Sequence, residues 1–200
     1  MSLRFAAVLL AAGASRRLGL PKQLLRRDGE TLLRRGARLA LASGATRVLV
    51  VLGARADALR GELDGLAVET VLNPDWQDGM AASLAAAARA LDGFDGAVLV
   101  LACDQPALEL AHLQALRDGA VAAGCAATEH AGALGVPALI APALWREATG
   151  LRGDRGFGAA LAQAPADAVW RLRAPELELD LDTPGDVDVA IARGWIDPAG

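Results

Sequence analysis

Short runs of Val, Leu and Ala alternate along the chain with stretches in which apolar residues recur every three or four positions. Residues 5–11, 47–52, 67–72 and 96–102 are near-continuous apolar runs, the pattern of strands covered on both faces. Between them, 31–43, 54–63 and 80–91 carry a helical period. In the first of these, Leu32, Leu33, Leu39 and Ala40 fall near one face while Arg34, Arg35 and Arg38 cover the other. Beyond Asp104 the pattern predicts helices over 108–123, 141–149, 158–164 and 184–193, with short strands over 125–128, 137–140, 168–173 and 177–181. Strands alternating with helices specify an α/β fold, a three-layer α/β/α sandwich with a mostly parallel sheet and right-handed crossovers. No repeat, low-complexity tract or long linker interrupts the 200 residues, which read as a single domain, 1–200.

In such sheets ligands bind beyond the carboxyl ends of the strands. The polar, glycine-bearing segments lie there, after Ala11, after Leu72 and after Ala102, so one composite site is expected. The net charge of −4 gives no general reason to expect nucleic acid or an anionic membrane as a partner, and an anionic ligand must be held by local positive charge. No apolar run is long enough to span a membrane. Arg4 followed by ten small or apolar residues also fits a short signal peptide, but the segment after it favours a buried first strand running into a glycine turn. Cys103 and Cys125 form no C-x-x-C pair, which points to a reducing, cytoplasmic setting.

The loop after the first strand carries the main candidates. Gly13 permits a tight turn, and the N–H groups of Ala14 and Ser15 can line a phosphate nest. Arg17 and Lys22 add charge within reach of triphosphate oxygens. Lys22 is the only lysine in the chain; every other basic side chain is arginine. That contrast marks a position wanting a compact ammonium. Neither G-x-x-x-x-G-K-[ST] nor G-x-G-x-x-G occurs. Asp104, at a strand end, suits Mg²⁺, which is held by one or two carboxylates with phosphates and waters. Asp182 reads equally as a second metal carboxylate or, with Thr183 and Pro184 following, as part of a helix cap. Asn73 has the donors and acceptors to read a base or a pterin edge, or serves as the turn residue before Pro74. Trp76 stacks on a ring or covers the core edge. His112, His130 and Cys103 read as structural.

Leu10-Ala11-Ala12-Gly13-x-Ser15-x-Arg17-x-Gly19-x-Pro21-Lys22-Gln23-Leu24-Leu25 resembles the opening of the molybdenum-cofactor nucleotidyltransferases, specifically the molybdopterin cytidylyltransferases. The resemblance continues through Asn73-Pro74-Asp75-Trp76, Gly79-Met80, Ser83-Leu84, Asp104-Gln105-Pro106, Gly135-Val136-Pro137, residues 152–156 and Asp180-Leu181-Asp182-Thr183-Pro184. Leu18, Ala82 and Gly185 stand where Met, a second Ser and Glu are common.

That resemblance implies a nucleotide-diphospho-sugar transferase-like (Rossmann-like) fold with one antiparallel strand near an edge. It implies transfer of CMP from CTP to molybdopterin, with a molybdoenzyme or its chaperone receiving the product. Arg17, Lys22 and Asp104 would be catalytic. Leu10, Ala11, Ala12, Gly13, Ser15, Asn73, Gly79 and Ser83 would bind the nucleotide; Gly135, Pro137 and Asp154 would bind the acceptor. Mg²⁺ would sit on Asp104 and Asp182. GTP as donor, another phosphomonoester as acceptor, and a non-catalytic cofactor-binding role stay open.

Overall fold

In the computed structural model, which describes residues 3–130 and 132–198, β1 (Phe5–Ala11) runs through the middle of the main sheet. Its residues alternate between two cores. Phe5, Ala7, Leu9 and Ala11 face one layer, and Ala6 and Val8 the other, as the two-residue period of a strand requires. β4 (Arg47–Leu52) and β6 (Ala97–Ala102) flank β1, both parallel to it, and β5 (Glu69–Leu72) extends the sheet beyond β4. On the other side β8 (Ala133–Ile140), β7 (Cys125–His130) and β9 (Val169–Arg173) complete the order β5-β4-β1-β6-β8-β7-β9. β8 is antiparallel to both its neighbours, so the reversed strand lies third from the edge, inside the sheet. A two-rung hairpin, β2 (Arg26–Arg27) with β3 (Glu30–Thr31), is separate.

The helices α1 (Leu32–Ala42) and α4 (Leu110–Ala123) bury Leu33, Ala37, Leu113 and Leu116 on the first face. The opposite face is covered by α3 (Met80–Ala90), through Leu84 and Ala87, and by α5 (Pro142–Trp145) and α6 (Gly158–Gln163), through Trp145 and Leu161. The short α2 (Ala56–Arg60) follows β4. The expected three layers are present. α7 (Pro184–Ala192) closes a smaller core of Leu32, Leu181, Ala190 and Ile196. No helix among the described residues is long and apolar enough to cross a membrane.

The segment 177–181 departs from its predicted strand. Leu177 and Leu181 are buried and Leu179 is half-buried, alternating with the exposed Glu178 and Asp180, which imitates a strand period. The backbone instead forms a 3-10 turn at Pro175–Glu178, opened by a proline with no N–H to give to a ladder. The N–H of Leu181 then donates to the Asp104 carbonyl at 3.2 Å. This bond brings Asp180 and Asp182 beside the end of β6.

Candidate active site

The loop after β1 is shaped by a side chain the motif does not single out. Gln23, 1% exposed, donates through Nε2 to the carbonyls of Ala11 at 3.0 Å and Gly13 at 2.7 Å. Gly13 is not in the left-handed region, and a Cβ there would meet open space. Its lack of a side chain therefore keeps the cleft floor clear; it is not required for the turn. The left-handed position is Ser15, with φ of 52°, a conformation uncommon for a residue other than glycine. Ser15 Oγ accepts from the Lys22 N–H at 3.2 Å and its carbonyl accepts from Gly19 at 3.1 Å. Ser15 thus holds the loop that carries Arg17 and Lys22.

Lys22 reaches across the cleft to two carboxylates. Its Nζ donates to Asp104 Oδ2 at 2.5 Å and to Asp182 Oδ1 at 3.1 Å. Arg17 takes the other Asp182 oxygen at 2.6 Å. Burial alone would lower the Lys22 pKa, but the charge and hydrogen bond of Asp104 outweigh it and hold the ammonium above the ordinary lysine range. Asp182 is not the cap of α7. Thr183 and Asp186 form a reciprocal capping box, leaving the Asp182 carboxylate free to face the cleft. Cys103, beside this group, is pushed up to about 12 by burial and then by Asp104, so it stays a thiol.

The opposite wall comes from the segment after β5. Asn73 is 1% exposed; its Nδ2 donates to Ser83 Oγ at 3.0 Å and its Oδ1 accepts from the Asp75 N–H at 3.0 Å. The side chain expected to read a base is therefore engaged inside the protein and reaches the cleft through Ser83, which lines it. Trp76 lines the cleft too, with the Arg16 guanidinium 5.6 Å from its ring centre. A Cβ on Gly53 would lie 2.6 Å from Trp76 Cβ and 2.9 Å from Ala12 Cβ. Gly53 thus leaves room for Trp76 and Ala12 to approach one another, and Ala12 also lines the cleft directly. Leu10 and Ala11 line the floor.

Gly79, with φ of 93°, permits a close crossing: a Cβ there would fall 2.5 Å from the Gly153 carbonyl carbon and 2.6 Å from Asp154 Oδ1. The Gly153 carbonyl accepts from the Ala81 N–H at 2.9 Å, tying residues 152–156 to the start of α3 and setting Asp154 on the cleft rim. Gly79→Ala is expected to destabilise the protein by roughly 1–3 kcal/mol, from the left-handed strain and the backbone clash. Urea titration of both proteins measures it, and equal midpoints would contradict the crossing.

Besides Gln23, further residues of the site were not given a role from the sequence. Asp180 reaches solvent at the cleft mouth, but partial burial, then the charge of Asp104, pushes it up to about 7. Only its place beside β6 reveals it. Gln105 donates through Nε2 to the carbonyls of Val136 at 3.1 Å and Leu177 at 3.3 Å, fixing the turn that carries Asp104. His130 lines a side pocket with Gly135. Pro137 is buried in β8 with its carbonyl accepting from Thr128 Oγ1 at 2.7 Å, and Val136 faces the cleft instead.

The residues fit a divalent cation delivered with phosphates. Asp104 Oδ1 is buried without a hydrogen-bond partner, and three carboxylates, Asp104, Asp180 and Asp182, share this part of the cleft with one lysine. No group of three or more His, Cys, Asp or Glu among the described residues encloses a metal by itself. Such a partial donor set is typical of Mg²⁺ held jointly with a nucleotide.

A cleft of about 540 Å³ at the carboxyl ends of parallel strands, with a clear-floored loop, the Lys22 ammonium and strand-end carboxylates, marks a nucleotide-handling α/β protein. More narrowly, the chain belongs to the MobA-like NTP transferase domain family, whose model matches residues 7–169. It is 40% identical to the nicotine blue oxidoreductase of Paenarthrobacter nicotinovorans over 52% of this chain and 50% of that one. It is 39% identical to a probable molybdenum cofactor guanylyltransferase of Synechococcus elongatus over 58% of each chain. The match thus spans about half the length of these relatives. The structure of Rv0371c from Mycobacterium tuberculosis H37Rv superposes with a TM-score of 0.81 at 27% identity, covering 96% of this chain and 99% of that one. A manganese complex of Rv0371c gives 0.74 at 26%, covering 94% and 98%. The resemblance read from the motifs holds at the level of the MobA-like NTP transferase family.

Proposed function

We propose that the protein transfers CMP from CTP to the terminal phosphate of molybdopterin, releasing pyrophosphate. The observation that carries this reading is Lys22, held at 2.5 Å and 3.1 Å from two carboxylates on the floor beneath the Gly13 loop. The attacking phosphate monoester is largely ionised near neutral pH, so no general base is needed. An acceptor oxygen bonds to the α-phosphorus as the bond to the β-phosphate oxygen breaks, and the electron pair leaves with pyrophosphate. Lys22 and Arg17 neutralise charge building on that leaving group, while Gly13 and Ser15 position the triphosphate. Asp104 and Asp182 would hold a divalent ion such as Mg²⁺, which would supply Lewis-acid charge to the phosphates.

The manganese complex of a structural relative supports a divalent ion. The guanylyltransferase relative supports the pathway and makes GTP the competing donor. The oxidoreductase name of another relative has no counterpart in a G-x-G-x-x-G loop here. Pyrophosphate release from purified protein with Mg²⁺, molybdopterin and either CTP or GTP tests the reading; none with either nucleotide would overturn it. CTP is expected to be preferred. Ala12→Gly, by removing a methyl that lines the cleft, is expected to relax that preference and shift the CTP:GTP ratio of kcat/KM by no more than ~1–3 kcal/mol. Competition kinetics measure this, and an unchanged ratio places selectivity elsewhere than Ala12.

A further inference from the structure

The hairpin of β2 and β3 joins no strand of the main sheet, and none of its residues lines the cleft. It is nonetheless tied to each of the three segments that meet at Lys22. The first tie is the chain itself, since the 3-10 turn Lys22–Leu24 leads through Leu25 straight into Arg26. The residues flanking the hairpin are clipped together, the Leu32 N–H donating to the Leu25 carbonyl at 2.8 Å. Leu25 and Leu32 then pack with Leu181, Ala190 and Ile196 in the smaller core, so the base of the hairpin rests on the neighbour of Asp182.

The second tie is at the tip. Asp28 and Gly29 are both left-handed, with φ of 55° and 76°, the Asp-Gly turn that suits a two-residue hairpin. The carboxylate of Asp197, beyond α7, accepts from both their N–H groups, at 2.9 Å and 2.8 Å, and the Asp197 N–H donates to the Arg26 carbonyl at 2.8 Å. Bonds to an ionised acceptor are stronger than neutral ones, so the hairpin is fixed to the segment that follows α7.

The third tie is Arg27. Its guanidinium donates to the Pro106 carbonyl at 2.6 Å and pairs with Glu109 at 2.6 Å, with the side chain 17% exposed. Its Nε is buried without a hydrogen-bond partner, which costs stability and marks a side chain placed for its reach. Pro106 stands two residues after Asp104. Arg35, from α1, holds the same loop further along, at the Leu108 carbonyl at 3.1 Å and at Glu109 at 2.9 Å.

We propose that this hairpin sets the spacing between Lys22 and Asp104, with Arg27 as the positioning residue, acting through Pro106 and touching no substrate. A charged group misplaced by about 1 Å costs up to about 10²-fold in rate, so a junction outside the cleft guards the geometry inside it. Because Lys22 is the only lysine, protein labelled with [¹³Cε]lysine gives one side-chain signal, read at pH 7 without nucleotide. Arg27→Ala should move that signal toward free lysine. Arg27→Gln, which keeps a shorter donor, and Asp197→Ala, which frees the tip, should move it less in the same direction. On the reaction proposed above, Arg27→Ala should also lower kcat about tenfold and change the CTP KM less. Glu109→Gln is the control: it removes the ion pair but keeps the Arg27 bond to Pro106, so it should lower the melting temperature and leave signal and kcat in place. A folded Arg27→Ala protein with an unmoved signal, or a Glu109→Gln protein that matches it in both signal and kcat, would overturn the proposal. If Arg27→Ala does not fold, unmoved signals in both Arg27→Gln and Asp197→Ala overturn it instead. A moved signal in a protein that transfers no nucleotide would keep the positioning role and remove the reaction.

Discussion

Lys22→Ala is expected to lose most of its turnover, and Lys22→Arg to recover little of it. The ammonium lies 2.5 Å from Asp104 and 3.1 Å from Asp182, with its side chain only 14% exposed. A guanidinium is planar and longer, with donors in a fixed fork, and cannot take the place of a point charge between these carboxylates without moving one of them. On the proposed reaction, losing this charge beside the leaving group removes ~3–4 kcal/mol of transition-state stabilisation, a factor of about 10²–10³ in kcat. The raised pKa fixes its state. The stability it contributes by being charged is fully present below the unfolded-chain value of 10.5 and disappears only as pH rises through the higher folded value. Lys22 accordingly acts as a fixed charge, and its ionisation should add no limb to the kcat profile between about pH 6 and 9. Steady-state kinetics decide the matter; a Lys22→Arg enzyme with near-normal kcat would sink the argument.

What the sequence made legible was whatever local pattern dictates. The runs at 5–11, 47–52 and 96–102 became β1, β4 and β6, because a strand buried on both faces must be apolar throughout. Lys22 and Asp104 could be singled out because one is unique in composition and the other ends such a run. What stayed hidden depends on tertiary partners. Asn73 and Pro137 carry the right chemistry but spend it on Ser83 and Thr128. Gln23 and Asp180 look ordinary in sequence and gain their roles from the loop and the strand end they meet. The false strand at 177–181 shows the same limit, since alternating burial appears without a ladder where two separate cores each take one leucine.

Asp104→Asn and Asp104→Ala are both expected to abolish Mg²⁺-dependent transfer while leaving the protein folded. The turn does not depend on this carboxylate. It is held by the Leu181 N–H on the Asp104 backbone carbonyl and by Gln105 on Val136 and Leu177. The carboxylate has one oxygen on Lys22 and one that is buried without a partner, which a neutral amide cannot offer to a cation with the same charge. A loss of ~3–4 kcal/mol in transition-state stabilisation, about 10²–10³ in kcat, follows for Asn, with thermal denaturation reporting an intact fold. Asp182→Asn is the comparison that separates chemistry from architecture. Because Thr183 and Asp186 cap α7, the variant should keep its melting temperature and lose activity, less steeply than at Asp104 because its side chain is 39% exposed rather than 18%. If activity survives and the melting temperature falls, Asp182 belongs to the helix end, and Asp104 must hold the cation with the phosphates alone.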